Sequence, residues 1–166
     1  MAVDIDPTSQ IAADLSAELL TAAAGVGVGL AATQIGRTDA IFVCRLDGPA
    51  GRWITACNPA LFVLPNPEGS SVQYSVEGCL SIPDTTSDRP LDSNQHKLYV
   101  VQRAARVSFS YFDLKGDLQR EVLTGFNAVI VQHEVDHLHG VLICDHGKPV
   151  VPAVPAESTP EPSSEE

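Results

Sequence analysis

Apolar residues recur at Ile11, Leu15, Leu19 and Ala22 within the Ala/Leu-rich run Ser9 to Ala24. That is helical spacing, and the run predicts a packing helix. Asp6 reads as its N-cap, Pro7 as its first helical residue and Gly25 as its stop. Beyond the small-residue stretch Gly25 to Gln34 the pattern turns extended. Ala40 to Arg45, Trp53 to Cys57 and Ala60 to Leu64 predict strands, with Asn58-Pro59 punctuating the last two. Pro65 to Ser71 reads as a loop and Val72 to Val76 as a short strand. Leu98 to Val101, Arg106 to Asp113 and Gln119 to Thr124 predict further strands, the last two turned into a hairpin by Lys115-Gly116-Asp117. Gly125 to His139 is the second strong helix, ending at Gly140. The order helix, several strands, helix predicts a single α+β domain over residues 1–148.

Polar residues dominate elsewhere. Pro83 to Lys97 reads as a surface loop. Residues 149–166 hold five prolines and four glutamates, which predicts a solvated, disordered tail. The 166 residues, 44% of them hydrophobic, suffice for one core. A net charge of −11 argues against a nucleic-acid partner. The longest apolar stretches are far short of a membrane span. Met1 to Gln10 lacks the basic start of a secretory signal, so a cytosolic protein is expected. In that compartment Cys44, Cys57, Cys79 and Cys144 are expected as free thiols or a metal ligand rather than disulfides.

The sharpest chemical signal is His133-Glu134-Val135-Asp136-His137. Residues four apart lie one above the other on a helix face, so both imidazoles can reach one metal ion. Glu134 is rotated beside that axis, where it can reach a bound water. Apolar Ala128 to Val131 would bury the helix and dry the site. The plainer reading is a helix with two surface histidines. A catalytic site of this type wants a third ligand and an open position. Cys79, within Glu77-Gly78-Cys79-Leu80-Ser81, is the best candidate, and a buried apolar cysteine is the alternative. Gly27 to Gln34 (GVGLAATQ) lets backbone approach closely and ends in an amide that can donate to an oxyanion. It lacks the Lys-Ser/Thr of a phosphate cradle.

These three stretches, in this order, resemble the peptide deformylases, whose motifs are GxGLAAxQ, EGCLS and HExDH. They stand here as Gly27 to Gln34, Glu77 to Ser81 and His133 to His137 without mismatch at the fixed positions. The resemblance covers roughly Leu15 to Asp145. It implies the deformylase α+β fold, with small antiparallel sheets around a metal-bearing helix. It implies Cys79, His133 and His137 as metal ligands and Glu134 as general acid/base. Gln34 and the backbone N–H of Leu80 are the implied oxyanion donors. It implies one divalent ion, Fe(II) in most relatives, with Zn, Ni or Co also accommodated. The implied substrate is the N-formylmethionyl end of a nascent chain, bound along Gly27, Gly29, Glu77 and Gly78. Val28, Phe126, Val129 and Ile130 would line the methionine pocket. An Arg103–Asp136 pair would support the helix.

The chain also departs from the family. Val26 stands where many bacterial members carry an acidic residue. Asp84 to Leu98 is longer and polar, so Thr86 and Arg89 have no clear counterpart of an arginine in the substrate cleft. The long C-terminal helix of many relatives is replaced by the Pro/Glu tail, which argues against ribosome docking by that route. Short ends of this kind resemble phage-encoded members, placing the protein in a bacterial host's cytoplasm, as a monomer. Two rivals remain at this point: an HExxH endopeptidase and a non-catalytic formyl-peptide or metal-binding module. The longer HExxHxxGxxH pattern fails at Ile143, which cannot ligate.

Overall fold

The computed structural model describes residues 1–25, 27–82 and 97–150. The expected departures at Val26, Thr86 and Arg89, nearly all of the Pro83 to Lys97 loop, and the tail from 151 onward lie outside the described residues.

Helix α1 spans Gln10–Ala23. Its N-cap is Ser9, not Asp6: the Ser9 hydroxyl accepts from the Ala12 N–H at 3.1 Å. Asp6 instead closes the preceding turn, its carboxylate accepting from Thr8 N and its carbonyl from Ser9 N. Both roles suit a short polar side chain, and two such candidates three residues apart let the cap move by one turn. The buried face is Ala12, Leu15, Ser16, Leu19 and Ala23, while Ile11 is 56% exposed.

Two antiparallel sheets follow. Five strands, β1 (Gly29–Ala31), β2 (Ile41–Arg45), β3 (Trp53–Val63), β6 (Arg106–Phe112) and β7 (Leu118–Thr124), lie in the order β1-β2-β3-β6-β7. A smaller sheet orders β4 (Val72–Glu77), β5 (Tyr99–Ala104) and β8 (Lys148–Pro149) as β4-β5-β8. The two segments expected on either side of Asn58-Pro59 form one strand, β3. Its register shifts between Cys57 and Ala60, where one extra residue makes a bulge. Asn58 takes a left-handed φ of 49°, which its short polar side chain tolerates. That side chain clamps the N-terminal segment, accepting from Ile5 N at 2.9 Å and donating to Ile5 O at 2.8 Å.

Strand β2 is buried on both faces, and its alternation divides the core in two. Ile41 and Val43 join α1's Leu15 and Leu19 on one side. Phe42 and Cys44 join Phe109, Val107 and the apolar face of α2 (Gly125–Leu138) on the other. α2 thus runs between the large sheet and the small one. Pro149, which composition groups with the tail, pairs with Tyr99 in β8, and Val150 N donates to Leu98 O. The short helix α3 (Ile143–His146) packs Ile143 against Tyr99, Val101 and Cys79. No described helix is long and apolar enough to cross a membrane.

Candidate active site

The HExxH residues occupy the C-terminal end of α2, with Val129, Ile130 and Val131 buried just before them. Helical spacing brings His133 Nε2 and His137 Nε2 to 3.1 Å of each other, their rings at 80°. Cys79, just past the end of β4 and 2% exposed, places Sγ 3.3 Å from His137 Nε2. The ligand atoms of these three residues all lie within 4.8 Å of one another. Two imidazole nitrogens facing each other beside a thiol satisfy one another only if a proton or a cation lies between them. Two nitrogens and one sulfur suit a borderline divalent ion. Against the cost of burial, hydrogen bonds to His133 and His137 pull the Cys79 thiol down to about 5, favouring the ligating thiolate.

Behind His133 sits a buried ionic chain. His133 Nδ1 lies 2.9 Å from Glu77 Oε2. Burial pushes the Glu77 carboxyl up, but Arg103 and then His133 outweigh it and hold the group near 2. An ionised carboxylate can only accept, so His133 Nδ1 carries a proton. Against the cost of burial, hydrogen bonds to Cys79 and Glu77 raise the His133 imidazole to about 10 in the metal-free site. Arg103 grips Glu77 with two N–H groups, Nε to Oε1 at 2.9 Å and Nη2 to Oε2 at 2.8 Å. Its Nη1 donates to Asp136 on α2. Asp136 in turn lies 3.5 Å from His146 Nε2. The chain ties β4 and β5 to the helix carrying the site.

Glu134 is 3% exposed, and its Oε2 has no hydrogen-bond partner among the described residues. Burial pushes its carboxyl up to about 8. An unpaired polar atom in a closed site costs stability, so its presence points to a partner supplied during function. The side chain fits only because Gly29 faces it: a Cβ there would stand 2.3 Å from Glu134 Oε1. Gln34 lies in a 3-10 turn, Ala32–Ile35, that follows β1. Its Oε1 accepts from Ala31 N at 2.9 Å, which aims the amide nitrogen at Ser81 Oγ (3.1 Å) and toward Cys79 Sγ (3.9 Å).

A cleft of about 270 Å³ opens onto this group. Gly27, Val28, Gly29, Gln34, Glu77, Gly78, Cys79, Leu80, Phe126, Val129, Ile130, His133 and Glu134 all line it. His137, Arg103 and Asp136 stand behind its wall. Glu77 reaches the cleft, but both its oxygens are engaged by Arg103 and His133. Two features escape the sequence pattern. Val76 also lines the cleft, yet as one more apolar residue in a short strand it carried no signal. The Glu77–His133 bond is tertiary, although a carboxylate two residues before a candidate ligand was a clue to an imidazole partner. Ile143, where the longer endopeptidase pattern needs a ligand, is buried in the core.

A HExxH helix held between two antiparallel sheets, with a strand-end thiol beside its two histidines, makes this a small α+β protein with a group that could hold a metal ion. The comparisons give the family within that class. A family description, polypeptide deformylase, matches residues 1–152. The peptide deformylase of Zymomonas mobilis is 34% identical over 122 residues, 72% of this chain and 62% of that protein. That of Thermotoga petrophila is 36% identical over 124 residues, 74% and 63% of the respective lengths. Among solved structures, the peptide deformylase of Thermotoga maritima superposes with a TM-score of 0.70 at 29% identity, covering 87% of this chain and 86% of that one. An actinonin-bound class I type b enzyme from Acinetobacter baumannii gives 0.71 at 27% identity, covering 87% of each. The chain belongs to the polypeptide deformylase family. It spans about 62% of the length of the curated relatives it matches.

Proposed function

We propose that the protein is a metal-dependent peptide deformylase, hydrolysing the N-formyl group of N-terminal formylmethionine and releasing formate. One observation carries this reading. Cys79, His133 and His137 converge beside Glu134, whose Oε2 has no partner among the described residues, at the floor of an apolar cleft. In this reading Cys79, His133 and His137 hold one divalent ion, Fe(II) being the expected metal and Zn, Ni and Co also suiting the donors. When bound, that ion supplies Lewis acidity and lowers the pKa of water at the site.

The chain's own groups do the rest. Val28, Phe126, Val129 and Ile130 take the methionine side chain, and the buried floor excludes bulk water. Glu134 accepts a proton from the attacking water, then returns it to the departing amine. The Gln34 amide and the Leu80 backbone N–H donate to the oxygen of the former carbonyl as it gains charge. Glu77 fixes the His133 tautomer, and Arg103 with Asp136 holds Glu77 and α2 in place. The partners are nascent chains with formylated N-termini, met by a cytoplasmic monomer.

The test is formate release from formyl-Met-Ala-Ser by anaerobically Fe(II)-loaded protein, beside a metal-loaded Glu134→Ala variant. Wild type is expected to release formate and the variant to keep its metal while losing nearly all turnover. No formate from metal-loaded wild type overturns the reaction. Substantial turnover by the variant overturns the role of Glu134.

A further inference from the structure

We infer, building on the deformylase reading, that Ile143 is a positioning residue of the metal centre. It seals the side of Cys79 turned away from the cleft, keeps water off the ligating sulfur and so sets how long the ion stays bound. Cys79 has two different sides. Toward the cleft it stands with Gln34, His133 and Glu134 among the lining residues. On the other side it packs with Tyr99, Val101 and Ile143, and partly buried Ile82 lies against them. Tyr99, Val101 and Ile143 do not line the cleft. Val101 and Ile143 are 0% and 2% exposed. This small core is separate from the two larger ones, which join α1 and α2 to the large sheet. One of its four buried side chains is a candidate metal ligand, so any packing lost here is lost at the sulfur.

Several contacts hold this one side chain. Ile143 opens α3, a single turn too short to stand alone. Val141 N donates to Asp136 O at 2.9 Å, tying the approach to the end of α2. Leu142 N donates to Asp145 Oδ2 at 2.7 Å and Gly147 N to Ile143 O at 2.8 Å, closing the turn. Residue 147 has no room for a side chain: a Cβ there would stand 2.5 Å from Ile143 O and 3.0 Å from Val101 Cγ2. Beyond it, β8 pairs Lys148 with Val100 and Pro149 with Tyr99. Ile143 also stands six residues after His137, where the HExxHxxGxxH pattern places a ligand. The fold does bring that position to the metal group, but an apolar side chain meets the sulfur there in place of a donor meeting the ion. An apolar shell behind a ligand controls solvent access. Water or a proton behind Sγ would compete with the ion for the thiolate.

The experiment follows metal release. Zn-loaded full-length protein is mixed with excess colorimetric chelator, for wild type, Ile143→Ala, Ile143→Leu and Leu19→Ala. Leu19 is fully buried too, but in the core under α1. Ile143→Ala is expected to release Zn about tenfold faster or more. Ile143→Leu keeps the volume and should stay within about threefold of wild type. Leu19→Ala should lower Tm without faster release. Co(II)-loaded Ile143→Ala should also shift its sulfur-to-metal charge-transfer absorption, which Leu19→Ala leaves in place. Should Ile143→Ala fail to fold, Ile143→Thr takes its place, removing less volume but setting a hydroxyl behind the sulfur. Release within about twofold of wild type from the Ala or Thr variant overturns the inference. So does a Leu19→Ala variant that releases Zn as fast as Ile143→Ala, since the effect would then be general loosening. Wild type that holds metal but frees no formate sinks the deformylase reading alone, and the seal is still judged on release. Wild type that holds no metal sinks both.

Discussion

At the scale of single residues, the site depends on one missing side chain. Glu134 occupies the space where a Cβ on residue 29 would stand, with that Cβ 2.3 Å from Oε1 and 2.7 Å from Cδ. Glycine 29 is thus needed for room; its backbone sits in an ordinary strand. Gly29→Ala is expected to fold and to keep its metal, because Cys79, His133 and His137 are not displaced. Turnover should fall by about a hundredfold or more, the usual cost of moving a proton-transfer group by an ångström. Metal content and kcat measured on the same preparation check this, and full activity would show that Glu134 has another place to sit. The residues of the three motifs were legible in sequence because each motif is local: four residues fix the His133–His137 geometry, and an Ala-rich turn fixes Gln34. The Glu77–His133 bond joins residues 56 apart, and no local pattern encodes it.

At the scale of elements, legibility followed length and locality. α1 and α2 are long enough for their periodicity to speak, although Ser9 rather than Asp6 caps α1, and its buried face runs through Ala12 and Ala23 rather than Ile11 and Ala22. The β6–β7 hairpin was legible from its turn. β8 and α3 were not, since two paired residues and a single helical turn exist only through contacts with β5. The expected break at Asn58-Pro59 became a bulge because β6 pairs on both sides of it. The hairpin turn also carries a pH signature. Burial works to raise the Asp113 carboxyl, but hydrogen bonds from Lys115 N at 2.9 Å, Asp117 N at 3.1 Å and the Gln119 amide at 2.8 Å outweigh it, so its pKa is lowered. A carboxyl lowered by folding stabilises the fold above its unfolded pKa, and that contribution fades as pH falls through the folded value. Asp113→Ala is therefore expected to lower Tm at pH 7 and to approach wild type as the medium turns acid. A Tm gap that grows on acidification would contradict the sign.

At the scale of the molecule, an ion held as proposed by Cys79, His133 and His137 would cross-link separately built parts. Cys79 follows the small sheet, while His133 and His137 belong to α2, whose apolar face packs on the large sheet. Residues 79 and 137 are separated by 58 positions, so an ion shared by them closes a long loop that the unfolded chain leaves open. Binding that favours the native state raises stability by about 2.7 kcal/mol when free metal is a hundred times its Kd. Arg103 bridges the same sheet and helix through Glu77 and Asp136, so the parts are expected to stay docked without metal, with reduced stability. Stripping the protein with a chelator should accordingly lower Tm without abolishing cooperative unfolding, and Tm should climb with added Zn or Ni. Cys79→Ala should keep the fold but lose most of that metal-dependent rise, while Glu134→Ala should retain it. The pair of variants separates ligation from catalysis by a stability readout alone. If Cys79→Ala responded to metal like wild type, the third donor would have to come from elsewhere, and the deformylase chemistry assigned to this cleft would lose its basis.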